Sequence, residues 1–272
     1  MPPYIEKPLF KEGILKPGPF TNNYDLRCYE PGEHLKPYVE HYFISRRRPD
    51  FDPDYEGVDV LSQPVVSLFI KPETAYIEGP TTGTRSLRAR ESAFYAGAQF
   101  KPGGFYPFWH QSISLLAEQH VPAKDLLPSL TDVYSKSIVD QTDNQLLLGL
   151  VEHCLLSAKP QYDPGIELVG QIVGKIEQSA GNITVSELAG GFGISERSLQ
   201  LLFKTYVGVG AKWAIMRVRF LEVIKFARQQ TRPDWTAVAS EFGYSDQSHF
   251  INDFKHIVGQ SPSQFMRSSS LN

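Results

Sequence analysis

Ala189-Gly190-Gly191-Phe192-Gly193-Ile194-Ser195 and, fifty residues further on, Ala239-Ser240-Glu241-Phe242-Gly243-Tyr244-Ser245 are one pattern written twice. Behind each copy follows a second shared element. Phe203-Lys204 with Val207-Gly208 returns as Phe254-Lys255 with Val258-Gly259, now at an offset of 51, so one residue has entered just before or within the second helix of the repeat. A supersecondary unit used in tandem is the reading that accounts for both offsets.

Each copy has the grammar of a helix, a tight turn and a second helix. Thr184-Val185-Ser186-Glu187 fits a capping box, in which threonine and glutamate satisfy each other's free amides and start a helix. Gly193 is placed to take the left-handed conformation that stops it. Ser195 can then cap the next helix, and too few residues lie between the two for anything but a turn.

The second helix of each copy has two faces. Leu199, Leu202, Phe203 and Tyr206 recur at the spacing of an apolar stripe, as do Phe250, Phe254 and Ile257. Arg197, Ser198, Gln200, Leu201 and Lys204 look the other way in the first copy, and Ser248, His249, Asn252 and Lys255 in the second. Guanidinium, amide, methyl and ammonium groups in such a row can address guanine, adenine, a thymine methyl and phosphate. A solvated face explains one such helix equally well; two copies with matching turns favour nucleic-acid reading. Residues 211–230, free of Gly and Pro, read as one helix of about 30 Å, close to the ~34 Å between successive major grooves on one side of a duplex. The shortfall predicts bent DNA, or one helix seated imperfectly.

These residues resemble the DNA-binding domain of the AraC/XylS-type transcriptional regulators, two helix-turn-helix units joined by a helix. Ile194-Ser195-Glu196-Arg197-Ser198-Leu199-Gln200 and above all Gly243-Tyr244-Ser245-Asp246-Gln247-Ser248-His249-Phe250, with Gly259 and Ser261-Pro262, carry the likeness over about a hundred residues. The pattern departs where the family often has a basic residue facing the groove: Leu201 and Asn252 stand there, and Asp253 adds a negative charge. The resemblance implies double-stranded promoter DNA as partner, RNA polymerase as a second if the protein activates, and a cytoplasmic regulator.

Charge is divided along the chain. From Gly181 onward there are 10 Lys+Arg against 7 Asp+Glu, while the rest holds 17 against 23, so the net of −3 hides one mildly basic part and one acidic part. The 272 residues suit two domains, expected at 1–158 and 159–272. In the first hundred residues, turn signals such as Pro31-Gly32, Gly79-Pro80 and Pro102-Gly103-Gly104 separate short strand-like segments at 38–44, 65–70, 75–78 and 92–100. Residues 114–120 and 146–157 read as helices, the latter with Leu146, Leu147, Leu150, Val151, Cys154 and Leu155 on one side, as core or as a dimer seam. Residues 159–165 read as a linker, with Asp163 capping and Pro164 opening the next helix. The expected fold is therefore α+β in two domains: a β-rich barrel or sandwich with trailing helices, then an all-α tandem helix-turn-helix.

Tyr29-Glu30-Pro31-Gly32, Pro37-Tyr38-Val39-Glu40-His41-Tyr42-Phe43 and Gln99-Phe100-Lys101-Pro102-Gly103-Gly104 are similar to the cupin-like N-terminal domain of a subgroup of these regulators, which implies a sensor of a small effector or a homodimerisation unit. Phe105, Tyr106, Phe108 and Trp109 could line its pocket or fill its core. The histidines stand singly with no His-x-His pair, and two cysteines, Cys28 and Cys154, make neither a zinc site nor a reason for a disulfide, so no metal or cofactor and no enzyme is expected. Residues 1–6 lack a signal peptide's basic and apolar regions, and no apolar run approaches a membrane span. The competing reading is a small-molecule-binding cupin whose C-terminal helices make protein contacts.

Overall fold

The computed structural model describes residues 3–5, 13–14, 17–88, 92–230 and 232–269. Of residues 1–6, read as lacking a signal peptide, only 3–5 are among them. The β-rich part contains β1 (Tyr4–Ile5), α1 (Pro17–Asn23), β2 (Tyr24–Tyr29), β3 (Val39–Arg47), β4 (Gly57–Leu61), β5 (Ser67–Ile70), β6 (Ala75–Glu78), β7 (Thr84–Arg88), β8 (Phe94–Phe100) and β9 (His120–Pro122). One antiparallel sheet runs in the order β1-β2-β3-β8-β5-β6-β9, and β4 pairs with β7 in a separate ribbon. Short helices α2 (Tyr106–Trp109), α3 (Ala123–Leu126) and α4 (Asp132–Val139) follow, then α5 (Asn144–Ser157).

Strand alternation sends Tyr42, Ile44, Leu68, Ala96 and Ala98 to one face of the sheet, where they pack with Leu147, Leu148, Val151, Cys154 and Leu155 of α5. Phe43 and Phe69 meet on the opposite face with ring centroids 5.1 Å apart. Both faces of β3 are covered, so residues 41–45 are buried without alternation. The α5 stripe is thus core, with one correction: Leu146 is 60% exposed and Leu148 takes its place inside.

Residues 114–120 are not a helix. A 3₁₀ turn at Ile113–Leu115 gives way to β9. Gly79 donates its N–H to the Gln119 carbonyl and lies so close to the Leu116 backbone that a methyl group there would collide with it. Edge pairing with β6 outweighs local helix preference.

The helical part begins with α6 (Pro164–Gln178), capped by Asp163 with Pro164 at its first turn, as the sequence predicts. It continues through α7 (Val185–Gly191), α8 (Glu196–Leu202) with a π-helical end at Phe203–Val207, α9 (Ala211–Arg228), α10 (Trp235–Glu241), α11 (Gln247–Val258) and α12 (Pro262–Ser269). This is the expected α+β division, β-rich first and all-α second.

Candidate nucleic-acid interface

The repeat in sequence is a repeat in space. Thr184 and Glu187 close the capping box at the start of α7, and Asp234 caps α10 by accepting from Thr236 and Ala237. Leu188 and Ala189 are buried in one unit, Val238 and Ala239 in the other. Both first helices end alike: Gly193 at φ 65° and Gly243 at φ 80° are left-handed. Their N–H groups reach Gly190 and Ser240 while Ile194 and Tyr244 donate back to Ala189 and Ala239. That pair of bonds satisfies carbonyls the helix would leave open.

The inserted residue falls at the next cap. Ser195 accepts from the Ser198 N–H at the start of α8, whereas Asp246, and not Ser245, accepts from the His249 N–H at the start of α11. The offset therefore changes from 50 to 51 between the turn glycine and the cap.

Each second helix buries one stripe and exposes the other. Leu199 and Phe203 are fully buried with Leu188, Val207 and Ile215; Phe250, Phe254 and Ile257 are fully buried with Phe220, Ile224 and Phe265. Arg197, Ser198, Gln200, Leu201 and Lys204 are all exposed, and so are Ser248, His249, Asn252 and Lys255. Leu201 stands 64% open to solvent, an apolar tip in the middle of a polar row. Asp253 is not a loose negative charge: it accepts from the Tyr244 hydroxyl at 3.1 Å and lies 3.3 Å from His249 Nε2. Burial and that carboxylate hold the Tyr244 hydroxyl protonated well above the ordinary tyrosine range.

The two units differ at their far ends. The last turn of the first recognition helix is π-helical, with Gly208 N–H reaching back to the Phe203 carbonyl, while α11 stays α-helical to Gly259. In the first unit Tyr206 folds over the start of α6, donating to Asp163 Oδ1 at 2.9 Å, into space that only a glycine at 165 leaves open.

The spacer α9 is 18 residues, two fewer than expected, or about 27 Å. Its burial is nearly all-round, including Arg217. The reason is that three bodies pack on it: both reader units and the β-rich part. Arg219 spans the two units by donating to the Gly181 carbonyl at 3.1 and 2.8 Å and lying 5.8 Å from the Tyr244 ring centre.

The four aromatics read as pocket lining or core filling lie in or against the core of the β-rich part. Phe105 and Phe108 are buried and stack on each other beside Phe100, and Tyr106 meets Tyr206 of the first reader unit at 4.5 Å. Trp109 is half-buried against the same core. Among the described residues no group of three or more His, Cys, Asp or Glu could hold a metal ion, and no helix is long and apolar enough to cross a membrane.

Two capped helix-turn-helix units thus share one spacer. Residues 188–268 match the family described as a helix-turn-helix domain, and residues 27–122 match one described as a domain of unknown function (DUF6597). Over 147 residues the chain is 26% identical to an uncharacterized HTH-type transcriptional regulator of Haemophilus influenzae, an alignment covering 52% of this chain and 48% of the relative. The chain thus spans about half the length of the curated relative it matches. Among solved structures, ToxT from Vibrio cholerae aligns over 90% of this chain and 98% of its own at 10% identity and a TM-score of 0.37. A second, apo ToxT structure from strain SCE256 aligns over 90% and 93% at 11% and 0.35. Residues 188–268 thus match a helix-turn-helix domain, and over 147 residues the chain is similar to an HTH-type transcriptional regulator.

Proposed function

We propose that the chain reads double-stranded promoter DNA with the outward faces of α8 and α11, and that the β-rich part, residues 1–158, adjusts that reading in response to a small effector or through assembly. The observation that carries the proposal is the coincidence, in both units, of a fully buried stripe with an exposed polar one on a helix capped at the end that would enter the groove. Arg197 and Gln200 are assigned to base edges, Leu201 to a thymine methyl, and Lys204 and Lys255 to phosphates. Ser198, Ser248 and Asn252 complete the two rows as hydrogen-bonding groups. His249, leashed to Asp253, presents a pre-oriented ring.

A fluorescence titration against DNA tests this directly. Counterion release requires log K to fall with log[salt] with a slope of several units. Arg197→Ala should weaken the preferred site by about 1–3 kcal/mol more than random DNA, while Lys204→Ala weakens both about equally. Equal losses for Arg197→Ala would reduce that residue to a phosphate contact. Salt-independent binding, or none, would instead support helices that serve protein contacts.

A further inference from the structure

The glycines that end the two recognition helices, Gly208 and Gly259, are repeats of one another, left-handed at φ 88° and 79°. Both helices end against the same short stretch of the β-rich part. A methyl group on Gly208 would come within 2.6 Å of Pro80 and 3.0 Å of Ile113, and one on Gly259 within 2.7 Å of the Thr84 hydroxyl. Between these two contacts the spacer is held as well: Trp213 Nε1 donates to the Thr82 carbonyl at 2.9 Å. Ser112, beside Ile113, donates to the Lys204 carbonyl in the last turn of the first recognition helix, also at 2.9 Å. The turn joining β6 to β7 therefore touches the end of one reader, the spacer, and the end of the other.

That turn is braced from behind. Gly79 N–H donates to the Gln119 carbonyl, and the Pro80 carbonyl accepts from Glu118 N–H, each at 3.0 Å. The Glu118 carboxylate accepts from both the N–H and the hydroxyl of Thr82, at 2.8 and 2.9 Å. Thr81 donates to the Ser62 hydroxyl, and the Ser62 carbonyl accepts from Arg217 of the spacer, each at 2.5 Å. A segment so tied is a wedge and not a floppy loop. Four peptide steps from Pro80 to Thr84 extend to at most about 14 Å, so while both contacts hold the helix ends cannot drift apart.

We infer that the turn at 79–84 is a positioning element for DNA reading: it fixes the separation of α8 and α11, and with it the half-site spacing the chain accepts. The inference rests on the DNA-reading function proposed above. Pro80, Thr82 and Thr84 act through the helices they brace, without touching DNA themselves.

Two measurements on the full chain test it. Spin labels at Gln200→Cys and Asn252→Cys report the distance between the readers in the absence of DNA; Cys28 and Cys154 are both buried. The parent should give one narrow distance. Trp213→Phe, which keeps a ring but loses the N–H, and Thr84→Arg, which puts bulk against Gly259, should broaden or shift it. In parallel, unlabelled proteins select from a library of half-site pairs at varied separation. The parent should favour one separation roughly tenfold over its neighbours, because the wrong spacing must be met by deforming DNA. In the two variants that preference should shrink at least threefold, roughly speaking, while a single half-site binds as before. A narrow, unshifted distance in both variants, or an unchanged spacing preference, overturns the inference. If the parent selects no DNA at all, it is the DNA-reading function that fails, and the label distances alone decide whether the turn positions the helices.

Discussion

Leu61, the last residue of β4, belongs by sequence to the β-rich part and by packing to the second reader unit. It is fully buried in one cluster with Phe220, Leu221, Ile224, Phe250 and Phe254. Leu61→Ala removes three carbon groups, worth about 0.8 kcal/mol each, or about 2.4 kcal/mol of transfer free energy. A cavity the surroundings cannot fill raises the cost into the range of about 2–5 kcal/mol. Since the vacated space is walled by α9 and α11, the loss should fall on the reader. Urea denaturation measures the total, and hydrogen exchange read by mass spectrometry measures its place. Exchange should quicken in peptides of α9 and α11 more than in those of β3 and β8. Leu146→Ala, at a site 60% exposed, serves as control and should stay within about 0.5 kcal/mol of the parent. A loss below about 1 kcal/mol for Leu61→Ala, far under the usual cost of a core leucine, would refute the claim that this side chain joins the two parts. So would quickened exchange confined to the β-rich part.

Other expectations follow from single contacts. Asp246→Ala should cost about 0.5–2 kcal/mol through loss of the α11 cap, and Ser245→Ala should cost almost nothing; the reverse order in thermal unfolding would refute Asp246 as the cap. The Glu187 carboxyl accepts from the Thr184 amide and hydroxyl, which hold it below its ordinary value of 4.5. A carboxylate lowered in this way stabilises above that value and ceases to as pH falls through its folded pKa. The melting-temperature gap between parent and Glu187→Gln should therefore be flat near neutrality and close below 4.5; a gap that widens on acidification would count against the capping box. Tyr206→Phe loses a donor to the Asp163 carboxylate, and should cost about 1–2 kcal/mol. Burial and then Asp163 push that hydroxyl up to about 12, so the cost should be unchanged from pH 6 to about 9, and a titration inside that window would contradict the assignment.

The helix-turn-helix units were legible because their determinants are local. A capping threonine, a left-handed glycine and an apolar stripe at helical spacing act within a few residues, and the duplication supplied an internal check. What the spacing left open was the cap at Asp246, because Ser245 and Asp246 are both good cap residues and only backbone geometry chooses between them. The β9 edge strand was missed because Leu116 and Gln119 owe their conformation to Gly79, some forty residues away. The strand β2 was missed too, although Tyr24, Leu26 and Cys28 alternate with Asp25 and Arg27, which pair with each other at 3.0 Å on the exposed side.

By itself the sequence determined the order of the chain, a β-rich part followed by two copies of a helical reader, and which side of each reader helix faces outward. Helix caps and 3.6-residue periodicity depend on neighbours along the chain, so they can be read there. Tertiary structure alone decided that the spacer is enclosed, that Leu61 completes a core belonging to the other half of the molecule, and that one braced turn meets both recognition helices. Those features join residues more than a hundred positions apart, and their energy comes from surfaces that exist only after each part has folded.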